Sequence, residues 1–417
     1  MEPSATSLYT ILMSLYAFIP GSHPALSLAE LRAVRVGKTV SVTKHFLIVE
    51  NASALDTVAL QFRLGGTVKI VEIIETTTTE GIKKVFDIDR LLSAYFTQNE
   101  DKIIFGVSVY GRVQAALLTK LRRLGFEIKK KLAESEYPSR FLFDQSGTLV
   151  NAAVVKNNLI QRGAEIVVLA DGDKLYVGKT ATVQDFESYS ERDYGRPVRD
   201  TKSGTLPPKL AQMMINLSGS APTATLLDPF CGSGTILQEA LRMGYMNVIG
   251  SDISGKAIED TRRNLEWFAR NAHIINTTRV FQKDVRNLSS ELKKNTVDAI
   301  VAETYLGPPL RRMPDKAKLV SIIEELTELY RASLSSLAEL LKPGGTVVMG
   351  VPFFQTKTAL ALLPLRDFVL PKRFEHTAPL PISDMKLLQP GNTDRGLLYA
   401  RPDQLVGREI IILRHTI

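Results

Sequence analysis

The sequence predicts a two-part α/β protein: an α+β region at 1–180, a linker at 181–208, and a doubly wound, mainly parallel sheet at 209–417. Three observations carry that reading. From Leu210 onward short apolar runs alternate with helical stretches, and strands separated by helices pair in parallel through crossovers. A glycine-bearing loop, Asp228-Pro-Phe-Cys-Gly-Ser-Gly-Thr235, joins the first of those runs to a helix. The 417 residues exceed what one hydrophobic core usually organises, while 44% hydrophobic and 23% charged residues describe an ordinary globular chain.

The first element is the apolar stretch Leu8 to Pro20, whose β-branched and aromatic residues predict a strand. It follows an acidic Glu2 and is too short to span a bilayer, so neither export nor membrane insertion is expected. Ser27-Leu-Ala-Glu30 then reads as a helix N-cap with its Glu three residues on. Between Val40 and Tyr110, the runs Phe46 to Val49, Val68 to Ile74 and Ile103 to Val109 predict small α+β modules. A helical period over Ala115 to Leu124 gives way to Phe126-Glu-Ile-Lys-Lys-Lys-Leu132, whose alternation predicts a half-exposed strand. Further strands are expected at Leu149 to Val155, Ile166 to Leu169 and Leu175 to Val177, with a helix at Asn157 to Arg162 and a hairpin turn at Asp171-Gly-Asp173. Arg196-Pro197 and Pro207-Pro208 forbid regular helix in the linker.

In the C-terminal part, strands are expected at Thr225 to Leu227, Val248 to Ser251, Thr278 to Gln282, Ala299 to Ala302 and Thr346 to Val351. Helices are expected at Ile236 to Met243, Gly255 to Asn271 and Leu319 to Leu341, the last stopped by Leu341-Lys-Pro-Gly-Gly345. In such a sheet ligands sit at the strand carboxyl ends.

The chemistry is therefore sought after each strand. Gly232 and Gly234 let the first loop turn tightly, but an acidic Asp228 suits a pyrophosphate poorly. A zwitterionic amino-acid ligand suits it better, its ammonium on the carboxylate and its own carboxylate on backbone N–H groups. Pro229, Phe230, Cys231 and Thr235 complete that loop. After the second strand, Asp252, followed by Ile253, stands where ribose hydroxyls would lie, and equally where a helix N-cap would. Asp284, followed by Val285, could accept from an adenine amino group or be a solvated loop acid. The fourth strand leads to Glu303-Thr-Tyr-Leu-Gly-Pro-Pro309, where Glu303 offers a carboxylate acceptor and Tyr305 an aromatic face for a base, or where a Pro-rich loop merely connects.

With 52 Lys+Arg against 44 Asp+Glu the formal charge is +8, which favours polyanionic partners. Arg122, Arg123, Lys129, Lys130, Lys131, Arg196, Arg199, Arg311 and Arg312 are the candidate phosphate contacts; a solvated basic face is the alternative. The single cysteine excludes an intramolecular disulfide and points to a reducing cytoplasm. Five histidines lie scattered without ligand spacing, so no metal is expected.

The loop at 228–235, the later acids and Leu341-Lys-Pro-Gly-Gly345 together resemble class I S-adenosylmethionine-dependent methyltransferases that act on nucleic-acid bases. Upstream, Glu191-Arg-Asp-Tyr-Gly-Arg-Pro-Val-Arg-Asp200, Gly204-Thr-Leu-Pro-Pro-Lys-Leu-Ala211 and Asn216-Leu217 resemble the linker of the THUMP-containing tRNA guanine-N2 methyltransferases. Phe105-Gly-Val-Ser-Val-Tyr-Gly111 and the basic stretch near Lys129 resemble their N-terminal region. The resemblance implies a seven-stranded class I sheet, S-adenosyl-L-methionine as cofactor, contacts to it at Asp228, Gly232, Gly234, Asp252 and Asp284, and a THUMP-like module that grips structured RNA. One departure stands out. Those enzymes carry Asp-Pro-Pro-Tyr or Asn-Pro-Pro-Tyr after the fourth strand, where this chain has Glu303-Thr-Tyr-Leu-Gly-Pro-Pro309. The expected activity is N-methylation of a flipped base in tRNA or another structured RNA, guanine N2 favoured, by positioning rather than by a covalent nucleophile. A DNA adenine or cytosine amino-methyltransferase and a noncatalytic RNA-binding protein that keeps the cofactor pocket are the two alternatives.

Overall fold

The computed structural model describes residues 13–96, 102–199, 205–272, 278–369, 373–391, 395–401 and 404–416. Two compact units result. One takes the chain up to Pro24, Val36–Phe62 and Thr67–Gln184; the other takes Ala25–Arg35, Arg63–Gly66 and everything from Asp185.

The first unit is built on an eight-stranded sheet. Its strands are β1 (Ser14–Pro20), β2 (Lys38–Val42), β3 (Leu47–Asn51), β4 (Thr67–Thr78), β5 (Ile103–Gly111), β6 (Ser139–Phe143), β7 (Ala164–Asp171) and β8 (Lys174–Val183), in the order β2-β3-β1-β4-β8-β7-β5-β6. Only β5 pairs in parallel, with β6 and β7. The β7–β8 hairpin turns at Gly172, φ +62°, as Asp171-Gly-Asp173 predicts. A buried ion pair crosses the sheet centre: Lys69 Nζ reaches both oxygens of Glu165 at 2.6 and 2.7 Å, and the Ser108 and Thr180 hydroxyls donate to the same carboxylate. The part of the first strand reading before Met13 lies outside the described residues.

Two expectations in this unit are corrected. Phe126 to Leu132 is not a strand but part of the helix Ala115–Glu134, which buries Leu117, Leu121, Leu124, Ile128 and Leu132 on one face. Seven residues are too few to separate a period of 2 from one of 3.6, and the burial of the whole stripe decides for helix. Gly125 lets β6 close onto that helix, since a Cβ there would stand 2.1 Å from Phe141 Cζ. Likewise, Leu149 to Val155 is no strand; the helix Asn151–Lys156 occupies it, and the helix expected at Asn157 to Arg162 is a run of turns with Asn158 at φ +56°. Short apolar runs do not distinguish the two states, and here the Asn151 amide anchors the segment on the Val68 carbonyl at 3.0 Å.

The second unit carries the doubly wound sheet: β9 (Thr225–Asp228), β10 (Asn247–Asp252), β11 (Arg279–Gln282), β12 (Val297–Glu303), β13 (Leu341–Gln355), β14 (Leu360–Leu362), β15 (Phe374–His376), β16 (Leu397–Tyr399) and β17 (Val406–His415). Seven strands run in the order β11-β10-β9-β12-β13-β17-β15, and β14 and β16 are short additions on β13 and β17. β9 to β13 are parallel, whereas β17 is antiparallel to β13. The direction of winding reverses between β9 and β12, which sets a crevice at their carboxyl ends.

The linker at 181–208 and the cap at Ser27 are also revised. β8 runs to Val183, and Asp185 caps a helix Phe186–Tyr194 whose Tyr189 and Arg192 are buried, so that helix is a packed part of the second unit. Pro24 starts the first helix, Pro24–Val34, and leaves Ser27 inside it. There Ser27 Oγ donates to the Gly66 carbonyl, while buried Glu30 accepts from the Gly65 and Gly66 amides at 2.9 and 2.8 Å and from Asn216 Nδ2 at 2.8 Å. Among the described residues no helix is long and apolar enough to cross a membrane.

Candidate active site

The loop after β9 is shaped by backbone and held by side chains. Gly234 N–H closes a turn on the Cys231 carbonyl at 2.7 Å, and Gly232 and Gly234 adopt φ +52° and +85°, the left-handed region a side chain strains to enter. Cys231 N–H reaches the Ser251 carbonyl at 3.0 Å, tying the loop to β10. Asp252 ties the loop to the turn that opens the next helix. One carboxylate oxygen accepts from Gly232 N–H at 3.0 Å, and the other from Ser254 N–H at 2.9 Å at the start of the next helix.

Asp228 is fully enclosed and accepts from Phe230 N–H at 3.1 Å. Burial drives its carboxyl well above the usual range against the pull of that amide, and the negative charges of Asp252 and Glu303 push it further. The negative surroundings of Asp228 fit a cationic group such as the ammonium of an S-adenosyl amino acid. The Cys231 thiol is raised by burial and by Asp228 and Asp252, and its sulfur lies 3.8 Å from Thr261 Oγ1; a thiolate nucleophile is disfavoured.

Asp284 caps the 3-10 turn Val285–Ser290 and is gripped by Arg286, whose Nε lies 3.0 and 3.1 Å from its two oxygens. That contact holds its carboxyl below the usual range. Ile253 is 64% exposed beside the end of β10, whereas Val285 is buried in the core, so of this pair only Ile253 offers a free apolar surface.

At the end of β12, Glu303 is not the free acceptor expected. Arg408 on β17, itself buried, donates through Nε to Glu303 Oε1 at 2.6 Å. The following residues are held from below: Thr304 N–H and Oγ1 both reach the Gly350 carbonyl, and buried Tyr330 accepts from Thr304 Oγ1 at 3.0 Å while donating to the Tyr305 carbonyl at 2.6 Å. Tyr305 is left 52% exposed, and Gly307 turns the chain at φ +93°.

The basic candidates divide. Arg311 and Arg312 are exposed after this loop, as are Arg122, Arg123, Lys129, Lys130 and Lys131 on the first unit's long helix. Arg123 and Lys130 pair with Glu127 and Glu134, and the Arg122 guanidinium lies 5.9 Å over the Phe126 ring. Arg199 stacks on Tyr194 at 4.7 Å. Arg196 is corrected: it is buried, with its guanidinium 2.7 Å from Thr235 Oγ1, and cannot reach a phosphate. Asp200 and residues 201–204 of the linker motif lie outside the described residues. Arg408, Tyr330, Thr261, Asn264 and the buried Arg192–Glu239 pair at 2.7 Å escape the sequence reading, because their partners stand far off in the chain.

Residues 196–362 match the family described as RMKL-like, methyltransferase domain. The chain is a methyltransferase, similar to that family over those residues. This methyltransferase is 26% identical over 352 residues to the tRNA (guanine(10)-N2)-dimethyltransferase of Methanothermobacter thermautotrophicus, spanning 82% of this chain and 90% of that one. Against the enzyme of the same name from Methanocaldococcus jannaschii it is 34% identical over 128 residues, 31% of this chain and 35% of that one. The crystal structure of TrmN from Thermus thermophilus superposes with a TM-score of 0.55 at 18% identity, covering 97% of this chain and 99% of the other, and so shares the fold.

Proposed function

We propose that this chain methylates the exocyclic amine of a base in structured RNA, foremost guanine N2 in tRNA, with S-adenosyl-L-methionine as donor. The observation that carries the reading is the convergence of Asp228, Asp252 and Glu303 at the switch point between β9 and β12. The similarity to tRNA guanine-N2 methyltransferases along most of the chain supports the substrate.

When bound, the cofactor supplies an activated methyl group on a sulfonium, so this chain needs no covalent nucleophile. Asp228 accepts from the ammonium group. Asp252 takes the ribose hydroxyls, and Ile253 covers one face of the adenine, with Asp284 as acceptor once Arg286 yields an oxygen. Glu303 keeps Oε2 for the N–H of the target amine, since Oε1 is held by Arg408. Tyr305 offers its exposed ring to a flipped base. The exposed Arg and Lys residues of the helix Ala115–Glu134 contact phosphates as part of a THUMP-like module, with Arg199, Arg311 and Arg312 nearer the chemistry in sequence. A cytoplasmic setting accords with a tRNA substrate.

The test is transfer of labelled methyl groups to total tRNA, total rRNA and duplex DNA, followed by nucleoside mass spectrometry. N2-methylated guanosine from tRNA is expected. Label confined to DNA overturns the substrate, and cofactor binding with no transfer to any of the three overturns the activity.

A further inference from the structure

The helix Gly255–Ala272 turns two buried polar side chains toward the cofactor loop, Thr261 and, one turn later, Asn264. Thr261 Oγ1 donates to the Gly232 carbonyl at 2.7 Å. Asn264 does more. Its Nδ2 donates to the Ser233 carbonyl at 2.9 Å and to the Val198 carbonyl at 2.9 Å, while Oδ1 accepts from Val198 N–H at 3.0 Å. The side-chain amide thereby copies one rung of a β-ladder on the segment Arg196–Val198 and spends its second donor on the loop. Two residues upstream, Arg196 reaches Thr235 Oγ1 at 2.7 Å, so the same segment is fastened to both ends of Ser233–Thr235.

The chemistry of this junction is selective. Two carbonyls and one N–H must be met at once in a site with no exposure, and of the short side chains only a primary amide presents two donors and an acceptor. A carboxylate there would face two carbonyl oxygens without a proton to give. We infer that Asn264 is a positioning residue that couples the Arg196–Val198 strap to the Cys231–Thr235 loop, so that the order of the strap sets the loop's grip on the cofactor. This rests on the cofactor reading of that loop.

Two variants test it, with calorimetric titration of S-adenosylhomocysteine and hydrogen exchange as readouts. Asn264→Asp should weaken binding about tenfold or more and speed exchange in both 196–199 and 231–235. Val198→Pro removes the strap's N–H and sets a ring carbon against Asn264 Oδ1, while the Ser233 carbonyl that Asn264 also serves is unaltered; it should weaken binding a few-fold and speed exchange in 231–235. If Val198→Pro loosens the strap while loop exchange and affinity stay within twofold of the parent, the coupling is overturned, even if Asn264→Asp fails to fold. A parent protein that binds no S-adenosylhomocysteine would instead refute the cofactor reading, and loop exchange in the ligand-free variants would still decide the coupling.

Discussion

The loops after β9 and β12 leave neighbouring strands of one sheet and are held in opposite ways. The β9 loop is fixed locally: two glycines in the left-handed region, an acid at the end of the next strand, and two side chains from the following helix. The β12 loop is fixed from afar, by Arg408 on β17 and Tyr330 on the helix Lys316–Leu340. The first arrangement is a preformed loop lined by the acids Asp228 and Asp252. The second places a carboxylate and a ring with no proline between them, so its rigidity must come from tertiary contacts.

The difference is sharpest in the consequences of substitution. Asp228→Ala should lower cofactor affinity by more than about 100-fold, since a charge-assisted partner is worth up to about 3 kcal/mol, without lowering the thermal midpoint of the ligand-free protein. Affinity within tenfold of the parent, by calorimetry, would break the cofactor reading of that loop. Glu303→Gln should spare cofactor affinity within twofold and lower kcat about 100-fold; single-turnover rates at the parent level would remove Glu303 from the chemistry.

Glu30 serves as a control, being as buried as Asp228 but provided with three N–H donors of its own. Burial pushes its carboxyl up to about 7 from 4.5, against the Gly65, Asn216 and Gly66 donors and the Arg63 charge. The folded chain therefore holds a proton that the unfolded chain releases above its ordinary pKa. The stability this contributes is full below about pH 4.5 and is lost as pH rises toward 7. Urea denaturation at pH 5 and 7 should show Glu30→Gln losing about 2 kcal/mol less than the parent over that interval. Equal losses would show that the proton is not held there. The smallest effect is expected from Tyr330→Phe, which frees the Tyr305 carbonyl at a cost of about 1 kcal/mol in stability and lowers kcat a few-fold with cofactor affinity unchanged. A loss of cofactor affinity instead would mean that the two loops are not independently held.

Much of this contrast was legible beforehand and part was not, for a physical reason. Asp228-Pro-Phe-Cys-Gly-Ser-Gly-Thr235 and Asp252 are readable because their geometry is made by residues a few positions apart, with glycines where φ must be positive. The parallel order of β9 to β13 follows from the strand and helix alternation. Arg408 lies 105 positions beyond Glu303, and no local pattern marks it as that acid's partner, although the run Ile410-Ile-Ile-Leu413 beside it is strand-like. The basic stretch near Lys129 mimics a strand because the apolar stripe that reveals its helical period begins upstream, at Leu117. Charge alone misleads at Arg196, a buried donor whose partner, Thr235, ends the loop after β9.

The placing of Ala25–Arg35 and Arg63–Gly66 within the second unit bears on how the polypeptide matures and how it can be divided. Glu30 leaves the ribosome long before Asn216, its amide partner, so the C-terminal fold cannot be sealed until an early segment has waited for a late one. Cleavage near 184 would give an N-terminal piece with an apolar helix and a carboxyl stripped of that amide, and a C-terminal piece lacking both inserted segments. Neither fragment is a self-sufficient building block; the catalytic half is assembled from three stretches of chain, and its inheritance is tied to that of the half before it.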